Sequence, residues 1–317
     1  MHHGNISKEI AAGLLELKKR IDAAGIPSSK VDETLNIAAW NVREFGKKKR
    51  SEAAIHYIAE IMGQFDLIAL VELRDNLTDL GRVLKILGPY WRAVYSDAIP
   101  DAGGNRERVA YVYDKRTVSF TGLAAEADAP RKKSGDEYIP KFSWWRAPYI
   151  ASFSSGNFDF SLLTTHIRWS KSEQHRLGEL SMLAEWIDKK GKDKYNEDKD
   201  IIVMGDFNIP SRTSELFKAV TGKGLVIPNG LLKLEFGTDL EKKKRYDQIL
   251  HRPIYNIPLC NKGGVLDFYC ADIKPLFGKM TKQEFTFQMS DHLPLWIQIN
   301  TDIDGAVLEQ IISPKDK

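Results

Sequence analysis

Three apolar runs in this chain each end on an oxygen-bearing side chain. TLNIAAWN ends on Asn41, DLIALVE on Glu72, and DIIVMGDFN on Asp206 and Asn208. Short apolar runs bounded by turn signals read as strands buried on both faces. A carboxylate at the end of a buried strand is costly unless a cation or a hydrogen-bond partner meets it. The chain is therefore constrained to a fold in which several strand ends gather at one rim, where loops on a rigid scaffold can form a site. Two further runs deliver His166, after FDFSLLTT, and Asp247, at the start of DQILHR. The pair Asp291-His292 stands just before the last apolar run, LPLWIQIN.

Between these runs lie helical patterns. Ser7 to Ala24 puts Ile10, Leu14, Leu17 and Ile21 on one face, with Ser7 as the cap, and Gly25 and Pro27 end it. SEAAIHYIAEIMGQF, DNLTDLGRVLKILG and Ser172 to Lys189 read as further helices. RVAYVYD and TVSFTG read as a pair of strands, and PYIASFSSGNFDFSLLTTHI as a hairpin turning at Gly156-Asn157. GKDKYNEDKD reads as a surface loop. Strands outnumber helices, which fits one large domain of two packed sheets with helices on the outer faces. A doubly wound sheet fits the same pattern, but neither a dinucleotide fingerprint nor a Walker phosphate loop is present.

The 317 residues suffice for a large core. A formal charge of +3 is too small to declare a nucleic-acid binder. Two local runs, Lys47 to Arg50 and Lys242 to Arg245, are either solvated loops or tracks for a polyanion. The two cysteines, Cys260 and Cys270, form no metal motif, and a disulfide between them stays open. No apolar signal core or membrane-length run appears. The expected location is cytoplasmic, with secretion open if a leader was removed, and neither membrane association nor an obligate protein partner is expected.

Alternation along a strand would put Asp206 and Asn208 on one face. Together they supply oxygen ligands and a donor, which suits a hard cation such as Mg²⁺. The plainer alternative is that Asp206 caps a turn and Asn208 opens the loop before Pro210. Among the histidines, His2, His3, His56, His175 and His251 read as ordinary surface or core residues. His166 and His292 differ, because each could be oriented by a carboxylate and so act on a proton.

LNIAAWNVREFG, LIALVELRDN, RERVAYVYD, SLLTTHIRW, IIVMGDFN, RYDQIL and MSDHLPLWIQI follow one another in this order. They resemble the successive motifs of the endonuclease/exonuclease/phosphatase superfamily, most closely its deoxyribonuclease I-like branch. The resemblance implies an α/β (α+β) chain folded as a four-layered αββα sandwich, two mixed sheets flanked by helices. Residues 31–300 would form the catalytic domain, residues 1–30 an N-terminal helical extension and residues 301–317 a tail. It also implies a bound divalent cation, Mg²⁺ foremost and Mn²⁺ or Ca²⁺ as alternatives, and a nucleic-acid substrate, DNA before RNA. Asn41, Glu72 and Asp291 would lie at the metal. Asp206 and Asn208 would hold the phosphate, the attacking water or a second cation. His292, oriented by Asp247, would be the general base or the phosphate-stabilising histidine, and His166, oriented by Glu107, the second histidine. Arg43, Arg74 and Arg146 would contact phosphate.

The chain departs from the branch where Asn105 replaces a tyrosine and where Val71 replaces a common glutamine. These departures bear on duplex preference. The basic, aromatic insert from Arg131 to Trp145 is either a loop that stacks on bases or, as favoured here, a set of tryptophans filling a local core. Trp169 would wall the site or pack beneath it. The leading functional expectation is a metal-dependent nuclease cleaving phosphodiester bonds by in-line water attack. A phosphatase of the same superfamily, acting on a small phosphorylated molecule or lipid headgroup, is the alternative. A catalytically silent binding module ranks third, because Glu72, His166, Asp206, Asn208, Asp291 and His292 are all present.

Overall fold

The computed structural model describes residues 1–101, 103–170, 172–196, 198–254 and 260–313. Residues 314–317 of the expected tail and Glu197 of the expected surface loop lie outside the described residues.

In chain order the first elements are α1 (Lys8–Ala23), β1 (Thr34–Phe45), α2 (Glu52–Met62), β2 (Leu67–Leu73), α3 (Thr78–Leu87) and β3 (Trp91–Tyr95). Next come β4 (Ile99–Pro100), β5 (Arg106–Asp114), β6 (Ser119–Glu126), β7 (Arg131–Ser134) and β8 (Glu137–Pro140). They are followed by β9 (Tyr149–Ser155), β10 (Phe158–His166), α4 (Glu173–Lys192), β11 (Ile201–Asp206), α5 (Glu215–Thr221) and α6 (Asn229–Leu232). The last are β12 (Asp247–His251), β13 (Lys262–Val265), α7 (Lys274–Phe277), α8 (Lys282–Gln288), β14 (Leu295–Asn300) and α9 (Asp304–Ile312).

The first sheet runs β13-β14-β1-β2-β5-β3, with β4 added beside β5, and the second runs β12-β11-β10-β9-β6. Each is mixed, with a parallel pair at its middle: β1 with β2, and β10 with β11. The side chains sort by alternation into layers. Along β1, Leu35, Ile37 and Ala39 pack between the sheets, whereas Ala38, Trp40 and Val42 face α1, α2 and α3. Leu162 of β10 and Met204 of β11 answer from the second sheet. Leu163 and Val203 turn to the other side and meet Leu180, Leu183 and Ile187 of α4. This is the expected sandwich of two mixed sheets flanked by helices.

Helix α1 starts where Ser7 accepts a hydrogen bond from the Ile10 amide. It is fastened by Leu14, Leu17 and Ile21 in the outer core, each such burial contributing about 1.5–3 kcal/mol. Its buried Arg20 donates to the carbonyls of Phe268, Tyr269 and Asp272 at 2.8–3.0 Å. No described helix is long and apolar enough to cross a membrane.

One expected pairing is wrong. RVAYVYD and TVSFTG do not pair with each other: β5 lies between β2 and β3 in the first sheet, and β6 is the edge of the second, beside β9. The short link at residues 115–118 carries the chain from one sheet to the other rather than around a hairpin. Alternating strands joined by a tight turn look alike in either case.

Candidate active site

The apolar rows between the sheets run out at one rim, and polar residues continue them. Asn41 follows Leu35, Ile37 and Ala39 in phase on β1, and His166 follows Phe160 and Leu162 on β10. Asp206 follows Ile202 and Met204 on β11, and Asp247 shares its phase with Ile249 on β12. The ladder places Asp206 directly between His166 and Asp247.

Glu72 reaches the rim differently. Strict alternation would send it toward the helices with Ile68 and Leu70. Its φ is instead +63°, and the ladders on both sides of β2 shift register around it. An irregularity of this kind re-aims a side chain and is common beside active sites. The Glu72 Oε1 thereby accepts from Asn41 Nδ2 at 2.9 Å, and Oε2 from the Glu44 amide at 2.9 Å.

Asp206 is the hub. Its Oδ2 accepts from Asn41 Nδ2 at 3.1 Å and lies 3.7 Å from His166 Nε2 and 3.8 Å from His292 Nε2. The preceding Gly205 is at φ +125°, and a Cβ there would sit 2.2 Å from the Thr165 carbonyl oxygen. Only glycine lets β11 approach β10 so closely at the residue that presents the carboxylate.

Each histidine is braced by a carboxylate on its other nitrogen. His166 Nδ1 lies 2.8 Å from Glu107 Oε2, and His292 Nδ1 lies 2.8 Å from Asp247 Oδ2. Burial opposes the charged form of both rings. The Glu107 carboxylate outweighs it at His166, and Asp247 and Asp206 outweigh it at His292, so both pKa values rise, that of His292 well above the ordinary value. Burial would likewise raise the Glu107 pKa, but His166, Arg146 and Arg74 bring it down to about 2.

The sequence-predicted arginines are brought to the rim, but they are engaged. Arg146 Nη2 is 3.0 Å from Glu107 and 2.9 Å from Asp101. Arg74 lies 3.4 Å from Glu107 and 3.5 Å from Asn105. Arg43 stacks over the Phe287 ring at 4.0 Å and lies 3.6 Å from Asp291. Asp291 is the most open of the predicted acids, with 44% of its side chain exposed.

The pairing of Asp206 and Asn208 by alternation fails, because β11 stops at Asp206 and Phe207 turns into the outer core. Asn208 takes a left-handed φ of +52°, which asparagine tolerates. Its amide N–H donates to Asp206 Oδ1 at 2.9 Å and its Nδ2 to the Ile167 carbonyl at 2.7 Å. Asn208 thus fixes the carboxylate and the loop rather than standing beside it on a strand.

The donor set fits a hard divalent cation. Asn41 Nδ2 donates to both Glu72 and Asp206, and Asn41 Oδ1 is left buried without a partner among the described residues. An orphaned carbonyl oxygen beside two carboxylates matches what an oxygen-seeking cation requires. Asp206, Asp247 and His292 also offer ligand atoms within 4.8 Å of one another. The His292–Asp247 hydrogen bond engages one atom of each, so that group is better described as a braced imidazole.

Several supporting residues were not anticipated. Ser290 Oγ donates to the Asn41 carbonyl and accepts from the His292 amide at 3.0 Å. Thr238 Oγ1 accepts from the Asp247 amide at 3.1 Å. Buried Asp101 binds Arg146, the Trp145 indole N–H and the amides of Gly103 and Asn105. DAGGN carries a turn signature that could have flagged Asp101, but its tie to Arg146 spans distant segments.

The two basic runs divide. Arg50 is buried, its guanidinium bonded to the Arg43 carbonyl, and burial pulls its pKa down to about 10 despite Asp79. It is a structural residue, not part of a polyanion track. Lys242 pairs with Asp267 at 2.7 Å, whereas Lys243 and Lys244 have no ion-pair partner among the described residues. In the insert, Trp144 packs on the outer core while the β7–β8 hairpin is exposed. Trp169 is 61% exposed, edge-on to Tyr246, which in turn meets the His292 ring, so it walls the site. Cys260 and Cys270 are both free thiols, one buried and one exposed.

Carboxylates, an amide and two braced imidazoles thus meet at one rim of a two-sheet sandwich. The chain belongs to the endonuclease/exonuclease/phosphatase family, whose sequence profile matches residues 38–292. It is 27% identical over 184 residues to deoxyribonuclease-1 of Bos taurus, covering 55% of this chain and 61% of that protein. It is 25% identical over 305 residues to deoxyribonuclease gamma of Rattus norvegicus, covering 90% of each. A mannosyl-6-phosphatase of Bacteroides thetaiotaomicron shares the fold with a TM-score of 0.54 at 17% identity, over 83% of this chain and 98% of that one.

Proposed function

We propose that this protein is a divalent-cation-dependent nuclease that hydrolyses phosphodiester bonds by in-line attack of water. The observation that carries the reading is the convergence of two carboxylate-braced imidazoles on one carboxylate, with both Nε2 atoms within 4 Å of Asp206 Oδ2. A phosphate bound at this point would have a nitrogen on either side. One nitrogen can steady a non-bridging oxygen while the other handles a proton. Asp206, held by Asn41 and by the Asn208 amide, would orient the attacking water. Glu107 and Asp247 hold the ring nitrogens that face away from the phosphate.

Asn41 and Glu72 would hold the cation, Mg²⁺ foremost, with Asp291 close in sequence to His292 as a further candidate ligand. Bound there, it would supply charge compensation for the phosphate oxygens. Relatedness to deoxyribonucleases over the catalytic motifs supports nucleic acid, DNA before RNA, as the substrate. The chain's own contribution to binding would come from Lys243, Lys244 and the exposed basic hairpin.

The test is a substrate panel of supercoiled plasmid, single-stranded DNA, RNA and sugar phosphates, each with Mg²⁺ and with EDTA. Cation-dependent strand cleavage supports the reading. Release of inorganic phosphate from sugar phosphates with all polynucleotides left intact would replace it by the phosphatase reading.

A further inference from the structure

Beside the catalytic rim lies a cavity of about 490 Å³, with Glu72 and His166 on its near side. This is the size range of small-ligand pockets, roughly 300–1,000 Å³. It is large enough for one nucleoside. Trp144, Trp145, Glu126 and Arg108 also line it. Trp145 is held by its indole N–H on Asp101 and by its backbone amide on Glu179, both at 3.2 Å. The aromatic wall is thereby fixed in place.

Two polar groups in that wall are incompletely satisfied. Glu126, at the end of edge strand β6, is half-buried and has no hydrogen-bond or ion-pair partner among the described residues. Arg108 uses Nη1 on the Ser96 carbonyl and on Asp97, but its Nε is buried without a partner. An open acceptor and an open donor thus line the same cavity as the two indoles. A carboxylate and a guanidinium nitrogen without protein partners, both lining one cavity beside a reactive centre, point to a ligand.

We infer that this cavity is a nucleobase pocket that selects guanine on the nucleotide carrying the scissile phosphate. The inference rests on the nuclease reading above. Guanine offers adjacent N1–H and N2–H donors, which match a carboxylate, and O6 and N7 acceptors, which match a guanidinium. Thymine has no amino group to offer Glu126. The indoles would supply stacking, which is sequence-tolerant and adds affinity for any base. A base can enter only when unstacked, so single-stranded or frayed substrate is preferred over intact duplex. A hexose could meet the same groups through hydroxyls, and it is the competing outcome.

The experiment uses the full chain. Binding of deoxyguanosine, deoxycytidine and thymidine 5′-monophosphates, deoxyribose 5-phosphate and mannose 6-phosphate is measured by calorimetry. Wild type is compared with Glu126→Gln and with Ala129→Trp, which fills the cavity from a lining position outside the catalytic rim. Circular dichroism confirms that both variants are folded. The guanine nucleotide should bind at least tenfold more tightly than the thymine nucleotide and both sugar phosphates. That preference should collapse in Glu126→Gln, and nucleotide binding should be lost in Ala129→Trp. Equal affinities, tighter sugar-phosphate binding, or wild-type behaviour in both variants would overturn the pocket. A single-stranded oligonucleotide series with one varied or abasic position separates the two readings. Cleavage without base preference removes the pocket and keeps the nuclease, whereas selective guanine binding with no polynucleotide cleaved removes the nuclease and keeps the pocket.

Discussion

His292 Nδ1 lies 2.8 Å from Asp247 Oδ2, joining residues 45 positions apart. The bond fixes the ring so that its Nε2 faces Asp206, and a second pair, His166 with Glu107, does the same from the neighbouring strand. His292→Ala should lower turnover by about 10²–10⁴-fold with substrate affinity nearly unchanged. Initial rates and direct binding on the same preparation check this, and undiminished turnover would remove His292 from the mechanism.

Glu72 is re-aimed into the site by its left-handed backbone, and one of its oxygens shares Asn41 with Asp206. Glu72→Gln keeps the shape and removes the charge. The cation concentration giving half-maximal activity should rise by about tenfold or more, the size of effect typical when ligation is weakened. A cation titration identical to that of wild type would rule out Glu72 as a ligand.

Gly205→Ala introduces both an unfavourable φ and a Cβ only 2.2 Å from a backbone oxygen. The backbone conformation and the overpacking together should cost about 2–4 kcal/mol. Thermal unfolding should show a clearly lowered Tm. A variant as stable as wild type would mean that β11 can move away from β10 at little cost.

Burial pulls the His251 pKa from 6.5 down to about 4. The unfolded chain therefore binds a proton at this ring before the folded one does. The neutral ring's contribution is fully present above pH 6.5 and is lost as pH falls from 6.5 toward 4. The loss is on the order of 3 kcal/mol. His251→Phe should flatten the acid side of a denaturation profile in that window, and a profile with unchanged slope would contradict this.

Lys242 is committed to Asp267 and the Arg245 guanidinium donates to the Leu234 carbonyl, which leaves Lys243 and Lys244 of that run for phosphate. Replacing both with alanine should reduce the salt dependence of nucleic-acid binding by about 0.7–0.9 in the log–log slope per lysine. An unchanged slope would make the run an ordinary solvated turn, whose backbone is already capped by Asp239.

Much of this was legible because strand phase survives translation into three dimensions. Asn41, His166, Asp206 and Asp247 each continue an apolar row whose period of two is visible in the sequence. Glu72 and Asn208 were named as well, but how they reach the rim escaped, because the period breaks at both. Glu72 has the wrong parity and is rescued by a bulge, and Asn208 lies beyond the end of its strand. β5 and β6 separate into different sheets because no local signal distinguishes a crossover from a hairpin. Arg50 looked like part of a basic run, and its burial depends on Asp79 and Arg43 from other segments. The contacts of Asp101 and Ser290 were likewise unreadable, since a hydrogen bond across distant segments leaves no spacing behind.

The reactive groups are the last members of the same rows that hold the two sheets together. Ala39, two positions behind Asn41, is fully buried between the sheets. Close-packed interiors transmit a change of one methylene. Repacking at such a position would tilt an amide several ångströms away before it loosened the sandwich, so drift in the interior should erode rate earlier than shape.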